Sequence, residues 1–567
     1  MRFIWYQAKH TMNLYKVGVS GITAAEAHIN TTAHNIANMG TAGYNRQSVM
    51  VSSAGGQSTA NGFIGRGVNV DGVIRQYDSF LFQQLSTAQG KGAELSTQAS
   101  QLEQLSAIVA DRRIGISPAL TSFFNSVNAM ASSPADPAVR QDLIGRANAL
   151  ATQINDVYDQ LQSARDGINT QVSTTVEQVN SYLQRINDLN QQIVTTKGAG
   201  AQQPNDLLDL RDQALTELNQ LVGVTFSEQN NIVSVSLANG QALIAGNQVY
   251  ELRAVASAAD PMRTVVAVSV PGTTQTQELR DSQVVGGKLG GLAKVRSETL
   301  DGMQAQIGQM AVGLALAFNA IHANGDSPSG EKVDFFNVGK PDVLNNSKNT
   351  GAATISATFT PLTETVAADG TRSLSTLDLS ASDYEISFNN GQYSVRRLND
   401  DSVTTFPPGD APTIPGLTLN LGGAPADGDK WTIQTTRNAG RDLAVNIKRP
   451  EDIASADSAG GASNGQNALA LAKLQNQRIF DGGTSSVTEV YSKAVNTIGV
   501  QTQSAISASN AQDSLVTQKQ AAQQAVSGVN ANEEYTNLAM FQSQYQASAK
   551  IIDVATSLFD TLLGLRG

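Results

Sequence analysis

The chain has 567 residues, no cysteine and four histidines, and 38 Lys+Arg against 49 Asp+Glu give a formal net charge of −11. This length implies roughly two to four domains, and the missing cysteines exclude disulfides, thiolate catalysis, Fe–S clusters and every zinc site with a Cys ligand. The acidic balance excludes a polyanion binder; with only 15% charged and 5% aromatic residues, against about 25% charged in an ordinary soluble protein, little charge opposes self-association.

No stretch reaches the ~18–20 apolar residues that cross a bilayer; the best candidate, Met310 to Phe318, is far shorter. Residues 1–11 mix Arg2 and Lys9 with a short apolar patch and lack the apolar run and cleavage site of a secretory signal. They read as an extension without native structure ahead of a start at Met12. From there an amphipathic helix carries one stripe at 3–4 spacing: Tyr15, Gly18, Ile22, Ala25, Ile29, Thr32 and Ile36. Gly40 and Gly43 end it. Residues 55–72, rich in Gly, Ser and Asn, read as a loop or hairpin.

A second helix is expected over 78–109, with a stripe through Leu81, Leu85, Ala88, Gly92, Leu95, Ala99, Leu102 and Val109. Asp136 as N-cap and Pro137 in the first turn open a third. Its stripe runs from Leu143 to Ile168, then changes phase through Val172, Val176, Val179, Leu183 and Ile186. About 60 helical residues make a rod of roughly 90 Å. Pro204-Asn205-Asp206 caps a shorter helix. Period-two alternation then marks a small β insert, with turns at Asn239-Gly240 and Pro271-Gly272. Helix returns over about 288–324. Short alternating runs between Pro, Gly, Asp and Thr, with turns at Asn390-Gly391 and Asp427-Gly428, read as an all-β domain. After a Gly/Ser-rich stretch the chain is helical to its end. There the stripe Leu538, Phe541, Tyr545, Ser548, Ile552, Ala555, Phe559, Leu562 follows Gly528.

The expected fold is mainly α with β: elongated, with paired N- and C-terminal coiled-coil-like helices, a long helical rod domain bearing a small β insert, and a separate all-β outer domain. The domain map is residues 1–11 as extension, 12–75 with 510–567 as the terminal helical domain, 76–335 with 446–509 as the rod carrying the insert at 222–285, and 336–445 as the outer domain.

Candidate chemistry is sparse. His28 and His34 fall on different helix faces, unlike an i, i+4 metal pair. His322 ends an apolar helix, where a charged imidazole suits the dipole. Gly286 to Gly291 lacks the spacing of a phosphate loop and reads as a strand-to-helix turn. Asp427-Gly-Asp429 is an acidic turn; a calcium loop counted from Asp427 would need Glu where Asn438 stands. Glu533-Glu534 sit at a helix start, where they favour the dipole. No catalytic residue, cofactor or metal site is assigned.

Two motifs carry a resemblance. The first is His34-Asn35-Ile36-Ala37-Asn38, with Thr41, Gly43, Tyr44 and Arg46. The second is Gly528 to Glu534 with Phe541 to Ile552, including Gln546-Ala547-Ser548, and Leu558 to Leu562. Together they resemble the terminal signatures of the bacterial flagellar axial proteins, the rod, hook and hook-associated family. Three internal pieces, Asn205 to Leu215, Gly287 to Leu292 and Phe318 to Gly325, are similar to the hook-associated branch at the hook–filament junction.

The resemblance implies a structural subunit, exported unfolded through the flagellar type III apparatus and secreted to the flagellum. It implies assembly into a ring with further copies, contact with the hook protein and with the next junction protein toward the filament, and an export chaperone on the C-terminal helix. Neither nucleic acid nor membrane is an expected partner. The assembly seam is placed at Tyr15, Ile22, Ala25, Ile29, Ile36, Leu538, Phe541, Tyr545, Ile552, Phe559 and Leu562. The competing readings are another axial subunit (hook, distal rod or flagellin-like), or an exported enzyme on a flagellar scaffold. The enzyme would need a cluster in the β domain, whose tightest acidic groups, Asp383 with Glu385, Asp400 with Asp401 and Asp427 with Asp429, read as turns and exposed strand positions.

Overall fold

The computed structural model describes residues 2–59, 62–109, 115–198, 202–270, 273, 275–367, 371–457, 460–461 and 463–564, with backbone alone at 2–12, 57, 59, 562 and 563. In chain order, helix α1 (Arg2–Asn38) precedes strands β1 (Gln47–Ser53), β2 (Gly56–Thr59), β3 (Gly62–Gly65) and β4 (Val68–Arg75). Four helices follow: α2 (Ser79–Val109), α3 (Ile116–Ser132), α4 (Pro137–Gly198) and α5 (Asn205–Leu221). Seven strands come next: β5 (Val224–Gln229), β6 (Ile232–Leu237), β7 (Ala242–Ala245), β8 (Gln248–Val249), β9 (Leu252–Ala256), β10 (Thr264–Ser269) and β11 (Thr276–Glu278). Helix α6 (Gly287–Lys294) passes through a π-turn (Val295–Leu300) into α7 (Asp301–Ala323). Strands β12 (Phe336–Asn337), β13 (Asp342–Asn345), β14 (Thr354–Phe359), β15 (Glu364–Val366), β16 (Arg372–Leu374), β17 (Tyr384–Asn389), β18 (Gln392–Arg397), β19 (Val403–Thr405), β20 (Leu417–Gly422) and β21 (Lys430–Gln434) come before α8 (Ala439–Asp442) and β22 (Ala444–Val445). Helices α9 (Gln466–Lys473), α10 (Val487–Ser527) and α11 (Ala531–Gly564) complete the chain.

The α-rich plan with a separate β-sheet region is as expected. α1 begins at Arg2, so the backbone set apart as a structureless extension continues the first helix. The Pro271-Gly272 turn and the Leu562 side chain lie outside the described residues. Helix α3, which the periodicity reading passed over, buries Ile116, Leu120, Phe123, Phe124, Val127 and Met130. Helix α4 has 62 residues; Asp136 caps it by accepting the Ala138 N–H. Both phases of its stripe are buried, from Leu143 through Ile168 and from Val172 through Ile186.

The chain divides into two compact units, the first comprising the chain up to Ala93, Gln178–Glu251 and the chain from Asn510, the second Glu94–Glu177 and Leu252–Ser509. The segment read as one β insert forms two sheets. The meander β5-β6-β7-β8 lies in the first unit and β11-β10-β9 in the second. In the first unit, Asn205 does not cap α5; its amide donates instead to the Val73 carbonyl at 3.0 Å.

In the second unit, Phe123, Phe124, Phe318, Phe335 and Phe336 are all buried and stack edge to face or tilted, the offset geometry that ring quadrupoles favour. Two glycines of α7 exist for close approach: a Cβ at Gly308 would lie 1.7 Å from the Thr436 carbonyl, and one at Gly313 2.2 Å from the Phe480 ring. The β region is built on the antiparallel sheet β13-β21-β17-β18-β19. Tyr384, Ile386, Val395, Trp431 and Ile433 fill its inner face. Asn390 and Gly391 both have positive φ, 51° and 77°, which a two-residue hairpin turn of this hand requires.

Several polar residues are placed otherwise than their local context suggests. Asp383 is a buried ion-pair partner of Arg437, not an exposed strand position. Asp429 is buried and accepts the N–H groups of Thr350, Gly351 and Ala426. His322 is 1% exposed, and its Nε2 accepts the Ala454 N–H at 2.8 Å. It is therefore a neutral core histidine, not a charged helix terminus, and burial pushes its pKa down from 6.5 to about 4.

A group that the folded state prefers neutral contributes stability above its unfolded pKa and loses it as pH falls toward the folded value. A shift of this size corresponds to ~3 kcal/mol. The expectation is a fall in the second unit's stability between pH 6.5 and 4. His322→Gln, which keeps an acceptor for Ala454, flattens that part of the profile in thermal unfolding across pH. Superimposable pH profiles for the two proteins would count against the buried neutral imidazole.

Candidate assembly interface at the terminal helices

Within the first unit α1 and α11 lie antiparallel. Gly18 meets Ile552, Gly21 meets Ser548, His28 stacks on Phe541 with ring centroids 4.2 Å apart, and Asn35 bonds Glu534. Small residues set the spacing: a Cβ on Gly18 would stand 2.6 Å from Ile552 Cγ1, and one on Gly21 2.5 Å from Ser548 Oγ. Ala24, Ala25 and Ala555 are buried. His28 is half-buried, and burial lowers its pKa.

The residues expected to form the seam divide by depth. Ala25 is buried, while Ile22, Ile29, Ile36, Leu538, Phe541 and Ile552 are half-buried. Tyr15, Tyr545 and Phe559 are exposed at 50%, 37% and 47%. Of Gln546-Ala547-Ser548, Ser548 alone is buried; the other two are exposed. Ala37, Thr41 and Gly43 are exposed and Asn38 half-buried; Gly43 takes a φ of 79° in the turn after α1.

Asn35 and Tyr44 reveal why the first motif is polar. Asn35 Oδ1 accepts the Gln47 N–H at 2.9 Å and the Tyr44 hydroxyl at 2.7 Å. Its Nδ2 donates to the Gln47 carbonyl at 2.9 Å and to Glu534 at 3.1 Å. All four bonding directions of the amide are thus used. Arg46 Nε reaches Glu534 at 2.7 Å and its Nη2 reaches Glu533 at 2.8 Å, while the Arg46 N–H donates to the Ser527 carbonyl. Glu533 and Glu534 are therefore ion-pair and hydrogen-bond partners of the N-terminal motif, beyond the dipole role read locally. Asn530 does cap α11, accepting the Asn532 N–H at 3.0 Å.

A second layer of polar contacts joins this motif to α5. Asn45 donates twice to Asp209, at 3.0 and 2.6 Å. Arg75 bridges Asp209 at 3.0 Å and Asp212 at 2.6 Å and lies 3.9 Å from the Tyr77 ring centroid. Burial pushes both carboxyls above the usual carboxylate range, with Arg75 pulling them back. Arg75, Asn45 and Gln47 were not singled out in the sequence. The signal available was charge in a chain that has little: Asp206, Asp209, Arg211 and Asp212 fall within one short motif. Among the described residues no group of three or more His, Cys, Asp or Glu is arranged to hold a metal ion, and no helix is long and apolar enough to cross a membrane.

Two experiments test this geometry. A Cβ on Gly21 would stand 3.2 Å from Ser548 Cβ, just inside the ~3.5–4.5 Å that a disulfide spans, so a small shift admits the bond. In a chain with no other thiol, Gly21→Cys with Ser548→Cys is expected to oxidise to an intramolecular bond visible on a non-reducing gel; persistently free thiols would refute the register. Asn35→Ala leaves buried partners without bonds, so a loss of about 1–3 kcal/mol in the first unit is expected in denaturant unfolding. An unchanged midpoint would remove Asn35 from its central place.

Three family models match the chain: "Flagellar hook-associated protein FlgK helical domain" over residues 102–336, "Flagellar hook-associated protein 1, D2-like domain" over 344–435, and "Flagellar basal body rod FlgEFG protein C-terminal" over 522–565. Flagellar hook-associated protein 1 of Escherichia coli (strain K12) is 36% identical over 563 residues, covering 98% of this chain and all of that protein. The Salmonella typhimurium (strain LT2) protein of the same name is 37% identical over 568 residues, with 98% and 100% covered. Among solved structures, the flagellar hook junction protein FlgK from Burkholderia pseudomallei is similar with a TM-score of 0.70 at 30% identity, over 78% of this chain and all of that one. On these matches the chain belongs to the flagellar hook-associated protein 1 family.

Proposed function

We propose that this chain is a structural, non-enzymatic subunit of the flagellar hook–filament junction, assembling through the outer faces of its paired terminal helices. The observation that carries this reading is the apolar surface that pairing leaves uncovered. Leu14, Tyr15 and Val19 on α1, and Tyr535, Met540, Tyr545, Val554, Leu558 and Phe559 on α11, are large apolar residues exposed to solvent. Apolar surface gathered in this way marks an interaction site. Charge does little to oppose close contact there: beyond Glu534, α11 carries only Lys550, Asp553 and Asp560.

In this reading residues 12–75 and 510–567 form the inner part of a ring of identical subunits, with hook protein on one side and the next junction protein on the other. The helical region of 76–335 with 446–509 and the β region of 336–445 lie outside it. The half-buried members of the seam, Ile22, Ile29, Ile36, Leu538, Phe541 and Ile552, hold the pair together. Tyr15, Tyr545 and Phe559 belong to the assembly face. Export proceeds through the type III apparatus in an unfolded state, with a chaperone covering α11 until release. Low charge and the absence of cysteine suit such a passage. The names hook-associated protein 1 and flagellar hook junction protein, carried by the relatives, favour this junction over the hook, rod, flagellin-like and enzyme alternatives.

Val554→Asp and Phe559→Asp separate assembly from folding. Both residues are solvent-exposed in the subunit, so each variant's thermal stability is expected to stay within about 0.5 kcal/mol of the parent. In the assembled ring each substitution removes the remaining ~1 kcal/mol of burying the half-covered apolar side chain and adds a desolvated carboxylate. Cells carrying either one are expected to show hooks without filaments, with filament protein shed into the medium. Normal filaments on cells carrying either variant would sink the assembly-face assignment.

A further inference from the structure

Eight charged side chains meet inside the second unit. Arg165 of α4 binds Asp301 at 2.5 Å, and Arg263, from the turn between β9 and β10, binds the same carboxylate at 2.6 Å. Arg263 also binds Asp281 at 2.5 Å, which Arg296 of the π-turn approaches at 2.8 Å. Arg437, just after β21, pairs directly with Asp383 and lies 3.5 Å from Asp260. None of the eight is more than 17% exposed. Four guanidinium groups thus face four carboxylates. Burial pushes the Asp301 and Asp281 carboxyls up, yet Arg263 and its neighbours hold both below the usual carboxylate range.

The π-turn supplies Arg296 and sets the position of Asp301 at the start of α7, and its geometry explains how. In an α-helix, residues five apart point about 140° away from one another. Arg296 and Asp301 are five apart, and on an unbroken helix only one of them would face the hub. An i→i+5 bond stacks such residues one above the other. Here that bond runs from the Asp301 N–H to the Arg296 carbonyl. Arg296 is further fixed by donating to the Thr264 carbonyl at 2.6 Å and to Asn169 at 3.1 Å. Downstream, the Thr436 hydroxyl donates to the Ala305 carbonyl at 2.7 Å. The helix that starts at Asp301 is therefore tied to the end of the β region.

We propose that the π-turn and the charged hub form one register joint. The paired charges hold an extra residue in the helix between α6 and α7. When a pair is lost, residues 295–300 pass back and forth between the π-turn and plain α-helix, and the Asp301 N–H to Arg296 bond breaks at each passage. One residue of register turns α7 by about 100° relative to α6. Gly308 no longer faces Thr436, and the β region loses its fixed seat on α7.

Hydrogen–deuterium exchange on the full chain tests this. Asp301→Asn removes one hub charge with little change of shape. Glu298→Gln removes a charge from an exposed position in the same turn and serves as control. Arg296→Lys keeps the charge but loses the planar fork, and covers the case in which Asp301→Asn does not fold. Asp301→Asn is expected to raise exchange at least ten-fold in peptides spanning 295–305. Arg296→Lys raises it less and in the same place, while Glu298→Gln and the β17 and β21 peptides stay at parental rates. Parental rates over 295–305 in both hub variants overturn the proposal, because packing alone would then hold the π-turn. A uniform rise across the second unit, β17 and β21 included, also overturns it, because the hub would then act on global stability and not on register.

Discussion

The first unit depends on how closely two helices from opposite ends of the chain can approach. Side chains at Gly18 and Gly21 would collide with Ile552 and Ser548, so the pair exists only because those positions are bare. Close approach multiplies dispersion contacts that are individually tiny and buries Ala25 and Ala555. It does not choose a partner, since small residues are common throughout this chain. Asn35 makes that choice: its four hydrogen bonds fall in place at one register of α1, the following turn and Glu534. Closing a loop of nearly 500 residues costs little more than closing a shorter one, because the entropy grows only with the logarithm of length. A few specific polar bonds at the end of an apolar stripe suffice to define the pairing.

Charge is sparse, and the pairs that fix the fold are the internal ones. Charged residues make up 15% of the chain, and their ion pairs divide between surface and interior. Exposed pairs such as Lys550 with Asp553 contribute about 0–1 kcal/mol. Arg75 with Asp209 and Asp212, and Arg296 with Asp281, are buried instead. Such pairs contribute little net stability relative to apolar packing, but breaking one leaves a charge stranded in a medium that cannot solvate it. Their effect is to penalise every arrangement except the one that satisfies them.

Periodicity made the helices legible. The stripe of α4 is buried through both of its phases, and the turns at Asn390-Gly391 and the cap at Asp136 follow from residue chemistry that acts over three or four positions. Helix α3 is equally periodic, with Ile116, Leu120, Phe123, Val127 and Met130, but its 17 residues lie between two much longer stripes. The rest was beyond local reasoning. Glu533 and Glu534 satisfy a helix-dipole argument whether or not Arg46 is near. His322 looks like a helix terminus until the chain near Ala454 covers it. On the two stripes the small residues Gly18 and Ser548 stand at the tightest contacts, while Tyr15 and Phe559 of the same stripes are exposed. Gly21, which meets Ser548, lies off the stripe, because contact distance there is set by what is missing from a side chain.

The antiparallel pairing of α1 with α11 also has a consequence in time. Asn35 and Glu534 are 499 residues apart, so α11 is synthesised long after α1. At about 5–20 residues per second, α1 waits roughly half a minute to two minutes before its mate exists. During that interval Ile22, Ile29 and Ile36 face water. Nucleation is unfavourable for an isolated helix, and Gly18 and Gly21 weaken this one further. The bare positions that later admit α11 therefore also keep the waiting segment from setting into a sticky amphipathic rod, so the chain stays pliant until the two helices meet.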